Sequence, residues 1–368
     1  MADQIRRIAI NTGGGDAPGL NAVIQSAVYA ARHLGWEVLG IREGYEGLLA
    51  PHNYEDGGLM NLQRKTVRGI AILGGTILGT TNRGNPFKFL VKMPDGSTKE
   101  IDRSDEVLTG FAKHGIDALI AVGGDGSLTI ANSLHERGLR VVGVPKTIDN
   151  DLEATTVTFG FNTAVSFATE CIDRLHSTAQ AHRRIMVVEV MGRNAGWIAL
   201  DAGIAGRADA ILIPEIPYDI GKVAEHIRRK TSGSREYAIV VVAEGAKPAG
   251  GEAVVKAHEA GRADRLGGIG EKVAAQLQEI TGKESRAVVL GHLLRGGTPT
   301  ATDRLLGLTF GAAAVRALVQ GLNGVMVALR PPRVEYVPLQ QAIAALKLVP
   351  LDGDGVTTAR ALDVSFGD

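Results

Sequence analysis

The sequence has 368 residues, and its 40 basic and 40 acidic side chains cancel to a formal net charge of zero. Hydrophobic residues make up 45% and charged residues 22%, which excludes a disordered or low-complexity chain and favours a globular protein of about two domains. The balanced charge argues against nucleic acid or an anionic membrane as a partner, and no apolar run approaches the ~20 residues of a membrane span. The single cysteine, Cys171, can form no disulfide within the chain, so we expect a cytoplasmic protein.

Short apolar runs alternate with segments of helical spacing, and this alternation predicts an α/β fold with a parallel sheet. The predicted strands cover residues 7–12, 117–122, 141–144, 185–190, 238–243 and 287–290. Helices are expected from Leu20, Leu128 and Ala195, and a Pro-Asp-Gly turn predicts a surface hairpin within residues 88–101. The sequence has 48 glycines, and several of the predicted strands are followed directly by glycine. Since ligands bind at the carboxyl ends of parallel strands, we expect the functional residues there.

The first predicted strand ends in three glycines and an aspartate, at residues 13–16, directly before a predicted helix. Such a loop leaves backbone N–H groups exposed next to the positive end of the helix, where an anion can bind. The same glycines would also suit a tight strand-to-helix turn that needs positive φ angles, and the loop alone does not separate the two interpretations. The loop matches neither the Walker lysine pattern nor the GxGxxG fingerprint.

A second glycine loop, Gly-Gly-Asp-Gly-Ser at residues 123–127, places the carboxylate of Asp125 where phosphate oxygens could also come close. A carboxylate repels phosphate unless Mg²⁺ bridges the two, and proteins typically hold Mg²⁺ through one or two carboxylates together with substrate phosphates. Asp125 is therefore a candidate Mg²⁺ ligand. The alternative is that Asp125 is the N-cap of the following helix.

Thr147, Asp149 and Asp151 alternate in the segment that follows the strand at 141–144. If this segment is extended, the two carboxylates face the same crevice. One of them could then accept a hydroxyl proton while the other orients it through metal-bound water or a lysine. An Asx-rich turn would explain the same residues without a catalytic role.

Five cationic candidates lie near predicted strand ends. Arginine suits phosphate because its planar guanidinium can donate two parallel hydrogen bonds. Any one of the five could be a solvated surface residue, but together they indicate recognition of an anionic substrate. These residues are Arg184, Arg193, Arg286, His292 and Arg295.

Five motifs, taken together and in order, resemble the 6-phosphofructokinase family and in particular its bacterial mixed-substrate ATP/pyrophosphate branch. They are the runs at residues 14–22, 123–127, 147–151, 191–193 and 292–297. The resemblance implies two Rossmann-like three-layer α/β/α domains with the active site in the crevice between them. It implies a phosphoryl-donor (ATP/Mg) domain of residues 1–160 with about 294–345, and a fructose 6-phosphate domain of residues 161–293 with about 346–368.

The resemblance implies Mg²⁺-dependent phosphoryl transfer from ATP to the 1-hydroxyl of fructose 6-phosphate, giving fructose 1,6-bisphosphate. Asp149 is then the general base with support from Asp151, Thr147 contacts the transferring group, and Arg193 stabilises its charge. The residues expected to bind fructose 6-phosphate are Thr147, Ile148, Asp149, Arg184, Met191, Gly192, Arg193, Glu244, Arg286, His292, Leu293, Leu294 and Arg295. Those expected to bind the nucleotide are Gly15, Arg83, Gly84, Gly124, Asp125, Gly126 and Ser127, with Asp125 also the Mg²⁺ ligand.

Two residues bear on the identity of the phosphoryl donor. Gly126 is small, as in the ATP users of the family, whereas pyrophosphate users commonly carry an aspartate there that would obstruct the nucleotide α-phosphate. Lys146, however, is typical of the pyrophosphate users, in which an ammonium could hold pyrophosphate. A small residue at position 126 leaves room for the nucleotide α-phosphate, and this steric requirement is more direct than the presence of a lysine. We therefore expect ATP as the donor, and pyrophosphate is the alternative.

A further alternative is a non-catalytic sensor of sugar phosphate or nucleotide. The presence of Asp125, Asp149 and Arg193 speaks against it, because binding alone requires no general base. The resemblance also implies a homo-oligomer, either a tetramer or a dimer. In this family the arginines that match Arg184 and Arg286 reach into the site of a neighbouring subunit.

Overall fold

A computed structural model describes residues 5–233, 235–257 and 265–368. The strands are β1 (Arg7–Thr12), β2 (Glu37–Ile41), β3 (Leu59–Asn61), β4 (Phe89–Lys92), β5 (Thr98–Ile101), β6 (Ala118–Gly123), β7 (Val141–Thr147), β8 (Phe159–Gly160), β9 (Ile185–Val190), β10 (Ala210–Leu212), β11 (Ala238–Ala243), β12 (Val255–Ala257), β13 (Arg265–Leu266), β14 (Ser285–Val289), β15 (Val325–Arg330) and β16 (Arg333–Pro338). The helices are α1 (Leu20–His33), α2 (Glu46–Leu49), α3 (Ser104–Lys113), α4 (Asp125–Glu136), α5 (Phe161–His182), α6 (Trp197–Ala205), α7 (Ile220–Lys230), α8 (Ile269–Thr281), α9 (Ala301–Val319), α10 (Leu339–Ala342) and α11 (Asp354–Ala361).

The chain divides into two compact units. The first contains the residues up to Thr147 together with Leu152–Gly160 and Arg295–Leu346, and the second contains Ile148–Asp151, Phe161–Leu294 and Lys347–Asp368. The resemblance implied that residues 148–151 belong to the first domain, whereas the structure groups them with the second unit. One contact that joins them to the second unit is the backbone N–H of Lys347, which donates to the carbonyl oxygen of Asp151 at 2.9 Å.

The first unit is built on an eight-stranded sheet with a parallel centre. Its strand order is β16-β15-β7-β6-β1-β2-β3, and β8 pairs with β7 outside this path. The pairs from β15 through β2 are parallel, whereas the outer strands β16 and β3 pair antiparallel with their neighbours. Parallel central strands need a crossover helix between them, and α1 and α4 follow β1 and β6 in this way.

Alternate residues of this sheet face two separate cores, because side chains alternate across a strand. In β1, Ile8 and Ile10 are buried in one cluster with residues of α1 and α9, whereas Ala9 lies in another cluster with residues of α3 and α4. The sheet is therefore the middle layer of three, as the resemblance implied. The predicted hairpin is also confirmed, because β4 and β5 pair antiparallel.

The second unit contains a four-stranded parallel sheet in the order β10-β11-β9-β14. The strands β9 and β11 are buried along their whole length, which explains their continuous apolar runs. Residues of α7 and α8 form the core on one face, and α5 and α6 also contact this sheet. All six predicted strands are present, so the α/β prediction is confirmed. Within the described residues, no helix has the length and apolarity needed to cross a bilayer.

Candidate active site

The two glycine loops of the first unit lie side by side because the strands before them are neighbours. β1 and β6 pair in parallel with Thr12 opposite Val122, so both loops leave the same, carboxyl edge of the sheet. The loops are in close contact, since a Cβ atom added to Gly13 would lie 2.7 Å from Ser127 Oγ. Gly14 also has a positive φ of 77°, so the glycines serve both the turn and the close approach.

Three side chains hold the carbonyl oxygens of the first glycine loop. Thr80 Oγ1 donates to the carbonyl of Gly14 at 2.6 Å, and Lys146 Nζ donates to that of Gly15. Arg295 Nη1 donates to the carbonyl of Asp16 at 3.1 Å. Lys146 is only 3% exposed, so its ammonium lies beneath the loop. Two cations are thereby placed against a loop for which anion binding was one of the two interpretations of the sequence.

The segment that carries Arg83 and Gly84 is tied to the same loop. The backbone N–H of Gly14 donates to the carbonyl of Thr81 at 3.1 Å, and the N–H of Arg83 donates to Thr81 Oγ1 at 2.9 Å. The Arg83 side chain is exposed and Gly84 adopts a positive φ of 100°. The structure therefore brings these two predicted nucleotide residues close to the glycine loops.

Asp125 is the first residue of α4, and its side chain is exposed. The N-cap of this helix is Gly124 in an extended conformation, so the alternative in which Asp125 is the N-cap is wrong. Among the described residues, no cluster of three or more His, Cys, Asp or Glu is placed to hold a metal. Asp125 is suited to be the one protein ligand of an Mg²⁺ ion. Phosphate and water would then complete the coordination shell, as is common for this ion.

The segment after β7 bends instead of continuing as a strand. Asn150 has a φ of 52°, in the left-handed region, which breaks the extended path assumed in the sequence analysis. Burial nevertheless alternates, because Thr147, Asp149 and Asp151 are half-buried whereas Ile148 and Asn150 are buried. The two acids therefore share the more exposed side of the segment, although Oδ1 of Asp149 is itself buried.

In the second unit, Met191, Gly192 and Arg193 lie beside Glu244. They follow β9 and β11, which are adjacent parallel strands with Val190 opposite Ala243. The backbone N–H of Gly245 donates to the carbonyl of Gly192 at 3.1 Å. A Cβ atom at Gly245 would overlap the carbonyl oxygen of Arg193, so only glycine permits this approach. Gly245 was not among the residues predicted from the sequence, in which its only signal was the Glu-Gly pair at a strand end.

The remaining predicted cations fall into three places. His292, with exposed Leu293 and buried Leu294, follows the carboxyl end of β14, the neighbour of β9. Arg184 and Arg286 lie at the amino ends of β9 and β14, where Glu284 Oε1 is 3.6 Å from Arg184 Nη1 and 2.8 Å from Arg286 Nη2. Arg295 belongs to the first unit, against the glycine loop. The structure therefore does not gather all the predicted phosphate ligands at one edge of the second sheet.

Two charged residues were not predicted from the sequence, namely Lys347, which contacts Asn150, and Asp201, which interacts with Lys347. Lys347 Nζ donates to Asn150 Oδ1 at 3.1 Å and lies 5.4 Å from the centre of the Trp197 ring. Burial raises the pKa of Asp201, one turn further along α6, to about 6, although the charge of Lys347 opposes the increase. Lys347 is separated from Asn150 by 197 positions, so no local pattern indicates the contact.

Comparisons with known proteins agree with the motifs. The chain matches the family model described as Phosphofructokinase over residues 7–318. An ATP-dependent 6-phosphofructokinase of Chloroflexus aurantiacus is 50% identical over 100% of this chain and 99% of its own length. A pyrophosphate–fructose 6-phosphate 1-phosphotransferase of Amycolatopsis methanolica is 49% identical over 94% and 96%. The crystal structure of Pichia pastoris phosphofructokinase in the T-state matches 99% of this chain with a TM-score of 0.79 and 32% identity, and this chain spans 37% of that longer one.

The raised pKa of Asp201 predicts a pH dependence of stability. The folded state favours the neutral acid, so this contribution is present at low pH and is lost as the pH rises through about 6. At ~1.4 kcal/mol per pKa unit, the free energy of unfolding of the wild type should fall by about 1.4 kcal/mol relative to Asp201→Asn between about pH 5 and about pH 8. Urea unfolding at both pH values measures the difference. The exposed Asp173→Asn is the control, and an equal pH dependence in wild type and Asp201→Asn would contradict the assignment.

Proposed function

The chain belongs to the phosphofructokinase family, as its motifs predicted, and we propose that it transfers a phosphoryl group from ATP to the 1-hydroxyl of fructose 6-phosphate. It is then a phosphotransferase with an alcohol group as acceptor. The observation that carries the proposal is the pair of adjoining glycine loops, of which the first is held by Lys146 and Arg295 and the second contains the exposed Asp125. A loose phosphoryl-transfer transition state needs such positioning and charge stabilisation more than it needs covalent chemistry.

On this proposal the first unit binds the phosphoryl donor. The phosphates of ATP lie against the two glycine loops, where the N-terminus of α4 also favours negative charge. Asp125 would hold Mg²⁺ together with the nucleotide phosphates, and the ion would supply positive charge to neutralise them. The residues assigned to the nucleotide are Gly15, Arg83, Gly84, Gly124, Asp125, Gly126 and Ser127.

Asp149 acts as the general base. Its carboxylate accepts the proton of the 1-hydroxyl as the hydroxyl oxygen bonds to the γ-phosphorus, and the bond from phosphorus to the bridging oxygen breaks to release ADP. Asp151 supports the base from the same, more exposed side of the segment. Thr147 and Arg193 stabilise the negative charge of the transferring group, because both side chains donate hydrogen bonds.

Fructose 6-phosphate is bound mainly by residues after β9, β11 and β14. Ile148, Met191, Gly192 and Glu244 contact the sugar in this assignment, and His292, Leu293, Leu294 and Arg295 contact its 6-phosphate. The bond from Arg295 to the carbonyl of Asp16 uses Nη1 alone. A guanidinium has five N–H donors, so this contact is compatible with a phosphate ligand.

Two observations bear on the choice between ATP and pyrophosphate. A Cβ atom at Gly126 would meet no heavy atom within 4 Å, so the space beside it is open for a nucleotide. Lys146 Nζ donates to the carbonyl of Gly15, so this lysine has a structural role in addition to any role in binding pyrophosphate. The Chloroflexus relative is named for ATP and the Amycolatopsis relative for pyrophosphate. These observations support ATP as the donor, with pyrophosphate the second candidate because Lys146 is present.

The donor proposal predicts saturable turnover with MgATP and slower turnover with pyrophosphate at equal concentration. The variant Gly126→Asp should lower kcat/KM for ATP by at least about 10-fold, because a carboxylate in the open space repels the α-phosphate. Initial rates with both donors measure the effect, and Gly126→Ala separates added volume from added charge. Saturation by pyrophosphate with negligible ATP turnover would overturn the choice of donor.

The base assignment predicts that Asp149→Ser lowers kcat by about 10²- to 10⁴-fold, because general base catalysis typically contributes that much. The KM for fructose 6-phosphate should change far less, since the variant keeps the arginines and Glu244. Steady-state rates together with calorimetric binding of fructose 6-phosphate separate the two effects. Asp173→Ser, an exposed acid on α5, is the matched control. Near wild-type turnover of Asp149→Ser would remove the assignment.

We also propose that the protein is a homo-oligomer in which Arg184 and Arg286 serve the site of a neighbouring copy. Both arginines lie at the amino edge of the sheet, whereas Met191 and Glu244 follow its carboxyl edge. The six-residue strand β9 separates the two edges by about 17 Å, which exceeds the reach of an arginine side chain. Arginines so placed can contact a sugar phosphate only if it is bound by another copy.

The oligomer proposal predicts complementation between two impaired variants. Asp149→Ser lacks the base but keeps its arginines, and Arg286→Ala keeps the base but lacks one arginine. A hybrid dimer contains one intact site, so equimolar random mixing should restore about a quarter of wild-type activity at subsaturating fructose 6-phosphate. Analytical ultracentrifugation gives the number of subunits. Activity of the mixture that equals the mean of the separate variants would show that each copy uses its own arginines.

A further inference from the structure

Lys347 contacts the segment of the proposed base with both its backbone and its side chain. The backbone N–H donates to the carbonyl oxygen of Asp151 at 2.9 Å, and Nζ donates to Asn150 Oδ1 at 3.1 Å. All three residues belong to the second unit. Lys347 therefore contacts two consecutive residues of the segment in which Asp149 and Asp151 lie.

Asn150 is the residue of this segment whose conformation most needs support. Its φ of 52° lies in the left-handed region, which asparagine visits more readily than most residues but which remains less favourable than an extended conformation. Asn150 as a whole is only 5% exposed, so its amide oxygen requires a donor inside the protein. The ammonium of Lys347 supplies that donor, and it thereby supports the turn that sets the directions of Asp149 and Asp151.

Lys347 is itself held on both sides. The indole N–H of Trp197 donates to the carbonyl of Lys347 at 2.9 Å, and the Trp197 ring lies under the ammonium at 5.4 Å. Two residues further on, the N–H of Val349 donates to Glu215 Oε1 at 2.9 Å. The same carboxylate accepts the N–H of Gly196, the residue before α6, at 3.0 Å. The lysine thus links the segment of the base to the start of a buried helix.

We propose that Lys347 is a positioning residue for phosphoryl transfer, one that fixes the orientation of Asp149 and Asp151 through Asn150. The proposal rests on the proposed function, because it assigns Lys347 to the reaction of that same site. Lys347 acts through the backbone and amide that it holds. A misplaced base loses rate while most of the substrate sites, which are formed by residues outside this segment, remain.

The experiment compares steady-state kinetics of full-length wild type and Lys347→Met, which keeps the unbranched stem and removes the ammonium. The kcat should fall by about 10- to 100-fold, while the KM values for fructose 6-phosphate and ATP change by less than about 3-fold. Lys347→Arg, which keeps a cationic donor, should recover most of the lost kcat. Lys272→Met, an exposed lysine on α8, is the matched control and should behave as wild type.

A double-variant cycle tests the route through Asn150. Asn150→Gly removes the amide but accepts a positive φ without strain. If Lys347 acts through this amide, the variant that combines Lys347→Met with Asn150→Gly should have a kcat close to that of the less active single variant. Multiplication of the two losses would show independent action and would overturn the proposed route.

The outcomes separate this inference from the proposed function. Wild type without turnover on fructose 6-phosphate, with either donor, would overturn both. Active wild type together with an unchanged kcat for Lys347→Met would overturn only the role of Lys347. A fall in kcat that accompanies an equal loss of substrate binding and thermal stability, and that arginine does not restore, would assign Lys347 a structural role and also overturn it.

Discussion

The structure depends on the close approach of glycine backbone at the strand ends, with the carbonyl oxygens of the first loop bound by protein donors. In the first glycine loop the carbonyls of Gly14, Gly15 and Asp16 accept hydrogen bonds from Thr80, Lys146 and Arg295. In each bond the carbonyl oxygen, which is the negative end of a peptide dipole, accepts from a protein donor. Two of these donors carry a full positive charge. Such an arrangement makes the loop attractive to phosphate even though the chain as a whole is neutral.

The same constraint accounts for the topology around the site. Lys146 can reach the loop because β7 lies beside β6, and β6 lies beside β1, in one parallel sheet. In the second unit, the adjacency of β9 and β11 places Arg193 next to Glu244 in a similar way, and Gly245 permits the close approach. Parallel strands end at the same edge, so loops that are distant in sequence meet there. It also follows that residues at the amino edge, such as Arg184 and Arg286, are kept away from the loops at the carboxyl edge of their own sheet.

Particular residues show where reasoning from the sequence succeeded and where it failed. The glycine loops and the strands before them were predicted correctly, because periodicity and glycine placement are local signals. The N-cap alternative for Asp125 was wrong, since Gly124 takes that position. The extended path assumed for residues 147–151 was wrong at Asn150, whose left-handed conformation is supported by a lysine about 200 positions away. Long-range contacts of this kind leave no mark on the local pattern.

The sequence by itself determined the α/β class, the strands and the family, because these follow from the spacing of apolar residues and from short motifs whose chemistry is contained within a few positions. Only the tertiary structure decided which residues meet. It placed Arg295 on the first glycine loop, Lys347 on Asn150, and Arg184 with Arg286 at the edge opposite Glu244. The physical reason is that strand order and chain crossover set these distances, and both arise from the packing of whole elements around buried cores.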